Sequence, residues 1–331
     1  PRGQSSYAKL GTVGEGTFGV VSCARHTQSN TIVALKKIRA RNSKSGVDVA
    51  TLREAMLLSE LRHPNVIALL DVYMHNGAIS LVFEFCPADI EHVIKDRTAP
   101  LDAARIKAYM RGALAGLAFC HANWMIHRDV KPGNLLLSEA GVVKLADFGL
   151  ARTYGSPRRK FTGHVVTRWY RPPELLFGAK FYGPSVDLWS IGCVFAELLT
   201  RAPLFPGNSD IDQLARIFTL RGNASEANWP GVSSLPDYLE FQPSEGKPLI
   251  SLFPAASTAT LTLLEGLLSL DPAKRPTADE ALASAYFSED PPAAADADNA
   301  PTSVQARGKA LLARGERVGG GKRCVGSLAL G

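Results

Sequence analysis

The chain has 331 residues, 46% hydrophobic and 21% charged, which excludes global disorder, a collagen-like repeat and a coiled coil. Lys and Arg number 37 against 31 Asp and Glu, a formal charge of +6 that is mild for this length. No basic patch is interleaved with aromatic residues, so direct nucleic-acid binding is not expected. The five cysteines, Cys23, Cys86, Cys120, Cys193 and Cys324, show no zinc or redox spacing. Reduced, mostly buried thiols are expected, in a cytosolic or nuclear setting. The chain opens on Pro1 rather than Met, so further residues are expected to precede it, and Pro1–Ser6 read as a short N-terminal stub. No signal peptide is seen. The most apolar helix candidate, Ser185–Leu199, carries Asp187 and Glu197 and is too short to span a bilayer, so no membrane partner is expected.

In chain order, Tyr7–Gly14, Gly19–His26 and Thr31–Ile38 are rich in Val, Ile and Thr and read as strands, with a turn at Gln28–Asn30. A helix is expected over Val49–Leu61, where Leu52, Met56 and Leu57 share a face and Pro64 follows the end. Val66–Tyr73 and Ile79–Phe85 read as two more strands. After Pro87 the pattern turns helical: Ile106, Tyr109, Met110, Ala113, Leu114 and Leu117 follow the i, i+3, i+4 rule. Further helices are expected over Ser185–Leu199 and from Thr277, where Thr277 and Glu280 have capping-box spacing. Strands first and helices after predict an α+β chain, with a small β-rich lobe (7–86), a larger α-helical lobe (87–287) and a ligand cleft between them. From Ser288 to Gly331 aromatic residues vanish and Ala, Gly and Pro dominate, so a disordered tail is expected. The tail is nearly neutral, with six basic against five acidic residues, and its Gly-Lys-Arg cluster reads as a solvated segment or a nuclear-import signal.

Gly14-Glu15-Gly16-Thr17-Phe18-Gly19 has the GxGxxG spacing. A β-branched run follows it rather than a helix, so it reads as a hairpin turn covering phosphates or as an ordinary flexible turn. Lys36, on the next strand, can reach phosphates if a carboxylate such as Glu54 holds it. His127-Arg128-Asp129-Val130-Lys131, Asn134 and then Asp147-Phe148-Gly149 bring together oxygen ligands suited to Mg²⁺ and a carboxylate able to orient a hydroxyl.

With these motifs in this order, the chain resembles the eukaryotic protein kinases over about Tyr7–Phe287. Asp48–Glu54, Val165–Arg171, Trp229–Val232 and Leu235–Tyr238 resemble the cyclin-dependent kinases. Ile79–Phe85, Gly155–Pro157, Glu174–Ala179 and Gly207–Leu214 are similar to the group of CDK-activating kinases found in TFIIH. The resemblance implies a bilobal protein-kinase fold and a Ser/Thr kinase using ATP and Mg²⁺. It implies substrates among other cyclin-dependent kinases and the RNA polymerase II C-terminal domain, a cyclin H-like partner, a RING-finger assembly factor and TFIIH. It also implies a nuclear setting, with the cytoplasm as a second compartment. The alternatives are a cell-cycle or elongation kinase of the same group and a pseudokinase scaffold.

The same resemblance implies the residue roles. Gly14–Gly19 cover the ATP phosphates, Lys36 contacts them and pairs with Glu54, and Asn134 and Asp147 hold Mg²⁺. Asp129 orients the substrate hydroxyl and takes its proton, Lys131 steadies the moving phosphoryl group, and Thr167 supports both. Adenine lies among Val21, Ala34 and Leu136, for which a plain core role stays open, with the backbone of Glu84 and Cys86 at its edge and Phe83 behind. Thr162 is the implied activating phosphosite, gathering Arg53, Arg128 and Arg152. Ser156, before Pro157, is a second phosphosite or a simple turn. Glu174 and Arg275 are expected to form a buried ion pair, and Asp187 to anchor the backbone around Asp129. Phe18, lacking a hydroxyl, excludes phosphorylation there. Arg152, Arg158, Arg159, Lys160, Arg168 and Arg171 crowd one stretch, as though waiting for phosphate on this chain or on a substrate.

Overall fold

A computed structural model of the chain describes residues 6–16, 19–38, 59, 62–75, 78–148, 151–153 and 167–295. Two compact units form: one holds the described residues up to Pro100 with those of 132–148, the other Leu101–Lys131 and the described residues of 151–294. The expected helix over Val49–Leu61, apart from Ser59, which is helical, lies outside the described residues, and so does the tail beyond residue 295.

The first unit is built on an antiparallel sheet of β1 (Tyr7–Gly16), β2 (Gly19–His26), β3 (Ile32–Ile38), β4 (Leu69–His75) and β5 (Ala78–Glu84), in the order β1-β2-β3-β5-β4. Strand alternation sends Val33 and Leu35 into one apolar cluster with Ala24, Tyr73 and Val82. Ile32 and Ala34 go to the opposite cluster, with Val13, Val21 and Cys23. The glycine-rich stretch is a hairpin, as expected: Gly14 pairs with Val21 and Gly16 with Gly19. β4 starts later than its composition predicts. Val66 bridges in parallel to Leu145, and Ile67 N donates to Leu145 O at 2.9 Å, so 65–67 serve a different pairing before the chain enters the sheet. β6 (Ala88–Asp89) leads into α1 (Ile90–Lys95), whose first turn Asp89 caps by accepting from His92 N at 2.8 Å. β6 also pairs with β7 (Leu135–Leu137), and β7 with β8 (Val143–Leu145).

The second unit is helical: α2 (Ala103–Ala122), α3 (Pro173–Leu176), α4 (Ser185–Thr200), α5 (Asp210–Arg221), α6 (Thr258–Leu267) and α7 (Ala278–Leu282). All six apolar positions expected on one face of α2 are buried. The capping box opens α7, with Thr277 N donating to Glu280 Oε2 and Glu280 N to Thr277 Oγ1. Glu174 and Arg275 form a buried two-pronged ion pair at 2.6 and 2.7 Å.

Packing continues past Ser288, where a tail was expected. Lys107 on α2 is 2% exposed, and its ammonium donates to Glu289 O and to Pro291 O at 2.7 Å. Ala294 N donates to Ala104 O at 3.0 Å. An apolar-poor segment is held here by its carbonyls, because a buried ammonium needs acceptors. The four described cysteines, Cys23, Cys86, Cys120 and Cys193, are buried and unbridged. Among the described residues no helix is long and apolar enough to cross a membrane.

Candidate active site

In the first unit a pocket is lined by Val13, Val21, Ala34, Lys36, Ile67, Phe83, Glu84, Phe85, Cys86, Leu136, Ala146 and Asp147. Most of these walls are apolar, and the charged groups lie at Lys36, Glu84 and Asp147. Lys36 Nζ donates to Asp147 Oδ1 at 3.0 Å, with both side chains nearly buried. This contact was not expected from the sequence; the expected partner, Glu54, lies outside the described residues. Asp147 has a left-handed backbone, φ +63°. Holding a non-glycine residue there costs about 1–3 kcal/mol, and such strain collects at functional sites.

Val21, Ala34, Phe83, Cys86 and Leu136 line the pocket as expected. Val13, Ile67, Phe85 and Ala146 were missed. Val13 and Ala146 adjoin the motif residues Gly14 and Asp147, whereas Ile67 is brought in by the bridge to Leu145 and leaves no local signal. The Glu84 carboxylate has a supporting job: it accepts from Ala68 N at 2.8 Å and pairs with Lys144 at 3.0 Å. The Glu84 N–H is committed to Ala68 O at 3.1 Å. Burial, with Glu84 next, pushes the Cys86 thiol far up. Gly14, Glu15, Gly16 and Gly19 belong to the hairpin strands, and Thr17 and Phe18 lie outside the described residues.

Asn134 is fully buried, and its backbone carbonyl accepts from Ala146 N at 2.9 Å, beside Asp147 in the chain. The pair offers an amide oxygen and a carboxylate. Hard oxygen donors in this small number fit Mg²⁺, which completes its shell with phosphate and water. No group of three or more His, Cys, Asp or Glu able to hold a metal occurs among the described residues.

In the second unit Asp129, Lys131 and Thr167 meet. Lys131 Nζ lies 3.2 Å from Asp129 Oδ2 and donates to Thr167 Oγ1 at 3.3 Å. Thr167 donates to Asp129 Oδ1 from Oγ1 at 3.1 Å and from N at 3.3 Å. Asp187 fixes the backbone leading to Asp129. Its Oδ2 accepts from His127 N and sits 2.9 Å from His121 Nε2, and its Oδ1 accepts from Arg128 N at 2.8 Å. Burial works against the Asp187 charge. The His121 hydrogen bond, the nearby His121 and His127 and the Arg128 N–H outweigh it, holding the carboxyl below its ordinary range. Arg128 has φ +68°, and its buried guanidinium donates to Tyr182 Oη at 2.8 Å. Of the other expected phosphate ligands, Arg152 lies in a two-residue strand with Thr153 and Arg53 lies outside the described residues, as do the expected phosphosites Thr162 and Ser156.

Residues 7–287 match the protein kinase domain. The chain belongs to the protein kinase family. The kinase is 52% identical over 288 residues to cyclin-dependent kinase 7 of Xenopus laevis, covering 86% of this chain and 82% of that protein. It is 51% identical to cyclin-dependent kinase D-1 of Oryza sativa subsp. indica, covering 85% of this chain and 66% of the rice protein. Among solved structures it is similar to a chain of the CAK complex of Chaetomium thermophilum bound to ATP-γ-S. That likeness has a TM-score of 0.84 at 41% identity and covers 88% of this chain and 94% of the other. The fold is thus the expected α+β protein-kinase fold, and the kinase falls within the cyclin-dependent Ser/Thr kinases.

Proposed function

We propose that the chain is a cyclin-dependent Ser/Thr kinase that passes the γ-phosphoryl group of ATP to the activation segments of other cyclin-dependent kinases and to the RNA polymerase II C-terminal domain. The observation that carries this is the Asp129–Lys131–Thr167 cluster. One carboxylate is steadied by an ammonium and a hydroxyl, in a chain about half identical to kinases of this name. Asp129 accepts the proton of the substrate hydroxyl as that oxygen attacks. Lys131 supplies positive charge that stabilises the transferring phosphoryl group, and Thr167 keeps both side chains in place. In the nucleotide pocket Lys36 turns toward the phosphates, and the apolar walls take the base. Asp147 and Asn134 hold Mg²⁺, which neutralises phosphate charge when bound. Glu54 steadies Lys36. Phosphorylated Thr162 collects Arg53, Arg128 and Arg152. The partners are a cyclin of the H type, a RING-finger assembly factor and TFIIH, and the setting is the nucleus.

The test uses the kinase purified with its cyclin. Wild type should phosphorylate both an activation-segment protein and a polymerase-repeat peptide in the presence of ATP and Mg²⁺. Asp129→Asn should still bind ATP while turnover drops at least a hundredfold, the lower end of what a positioned base supplies. Near-normal turnover by that variant would remove Asp129 from the mechanism. Activity toward neither substrate would refute the assignment.

A further inference from the structure

Thr167 is tied to Asp129, and the next residue turns outward. The Arg168 side chain is 41% exposed, and its Nε donates to Asp210 Oδ1 at 2.9 Å. Its Nη1 donates to Asn208 O at 3.2 Å, while Nη2 makes no hydrogen bond among the described residues. Arg171, only 10% exposed, donates from Nη1 to the same Asp210 oxygen at 3.2 Å. Two guanidinium cations therefore share one carboxylate oxygen. The neighbouring Asp212 is engaged elsewhere, with Asn208 N and Arg216 Nε. Burial weakens the Arg171 cation, Asp210 offsets that, and Arg168 adds repulsion.

The surrounding backbone is rigid. Trp169 Nε1 donates to Gly207 O, Gln213 Nε2 to Trp169 O, and Gly207 N to Gln213 Oε1. A Cβ on Gly207 would lie 2.7 Å from Gln213 Cα and 2.8 Å from Gln213 N, backbone atoms that cannot swing away, so the close approach requires glycine. Tyr170 is anchored through Glu197 and Ser190. Arg168 is thus presented by a fixed segment, one residue from the group that positions Asp129.

We infer that Arg168, oriented by Asp210 and backed by Arg171, is a substrate-specificity residue that favours a carboxylate or phosphate near the accepting hydroxyl. The inference rests on the kinase function proposed above. Arg168 directly follows Thr167, which is bonded to Asp129, and an extended peptide advances about 3.3–3.6 Å per residue, so the anion belongs within a few residues of the acceptor. It would take the outward edge of the guanidinium in a charge-assisted hydrogen bond. Partial exposure keeps the gain modest, about fivefold in kcat/KM.

The experiment compares acceptor peptides that differ at one flanking position, Ala against Glu against phosphoserine, on the purified cyclin complex. Wild type should prefer the acidic peptide about fivefold at one position, and the preference should shrink as salt rises. Arg168→Gln should bring the acidic-to-neutral ratio close to one, and Arg168→Lys should keep part of it. No acidic preference in wild type overturns the inference while leaving the kinase function standing, because the Ala peptide is still phosphorylated. An Ala peptide that wild type does not phosphorylate means failure of the kinase function itself. Equal losses on all peptides in Arg168→Gln, or Arg168→Lys losing the preference as completely as Arg168→Gln, also overturn the inference. A phosphatase-treated enzyme separates the other source of anion. If Arg168 served a phosphate on its own chain, dephosphorylation would erase the difference between wild type and Arg168→Gln, and the substrate role would fall.

Discussion

Asp187→Asn removes a charge and makes one acceptor oxygen a donor. Both carboxylate oxygens are in use: Oδ1 by Arg128 N, Oδ2 by His127 N and His121. However the amide turns, its NH₂ faces at least one of these backbone N–H groups, and His127 and Arg128 are both buried. An unsatisfied buried donor costs about 1–3 kcal/mol, and losing charge assistance on the remaining bonds adds to it. A total near 3 kcal/mol corresponds to a Tm drop of about 6–12 °C for a chain of this class. Arg128 sits at φ +68° and leads directly into Asp129, so relaxation of that strain should also lower kcat. Denaturant unfolding and peptide phosphorylation, run on the same preparation, read the two effects. The pH dependence gives a separate check. Because the folded carboxyl is held below 3.8, its contribution is complete above that value and is lost as pH falls toward the folded pKa. The stability gap between wild type and Asp187→Asn should therefore be flat from neutral pH down to about 3.8 and narrow below it. A loss under about 0.5 kcal/mol, within the range of an ordinary surface change, with unchanged kcat would refute the anchoring role.

Two further outcomes are expected. Arg275→Met strands the buried Glu174 carboxylate and should cost about 3–5 kcal/mol. Adding Glu174→Gln should restore part of the stability in thermal unfolding, and a double variant no better than the single one would mean that the pair is not the cause. A chain ending at Phe287 should be about 1–3 kcal/mol less stable than one ending at Ala295, because Lys107 loses its carbonyl acceptors. Equal melting temperatures would show that water replaces them fully.

Much of the frame was legible because its signals are local. Strand content on both sides of Gly14–Gly19 marked the hairpin, a three-residue spacing marked the capping box at Thr277, and helical periodicity marked the buried face of α2. The pocket walls Val21, Ala34 and Leu136 followed from the family pattern. What stayed hidden depends on long-range pairing. Nothing near Val66 announces a bridge to Leu145, and nothing near Lys107 announces carbonyls about 180 residues away. The Lys36–Asp147 contact spans 111 residues, and the sequence offered Glu54 as the partner. The low-complexity composition after Phe287 also misled, since composition measures apolar burial and not backbone acceptors.

The thiols carry one more consequence. Burial lifts Cys23 to about 11, against a small opposing pull from Arg25, and raises Cys86, Cys120 and Cys193 further. Reaction with peroxide or an alkylating agent needs the thiolate, and at neutral pH these four side chains hold almost none. Cys86 stands in the pocket wall, yet an electrophilic ligand placed there meets a protonated, unreactive sulfur. An oxidant pulse that silences enzymes built around a catalytic thiolate should pass these four thiols by.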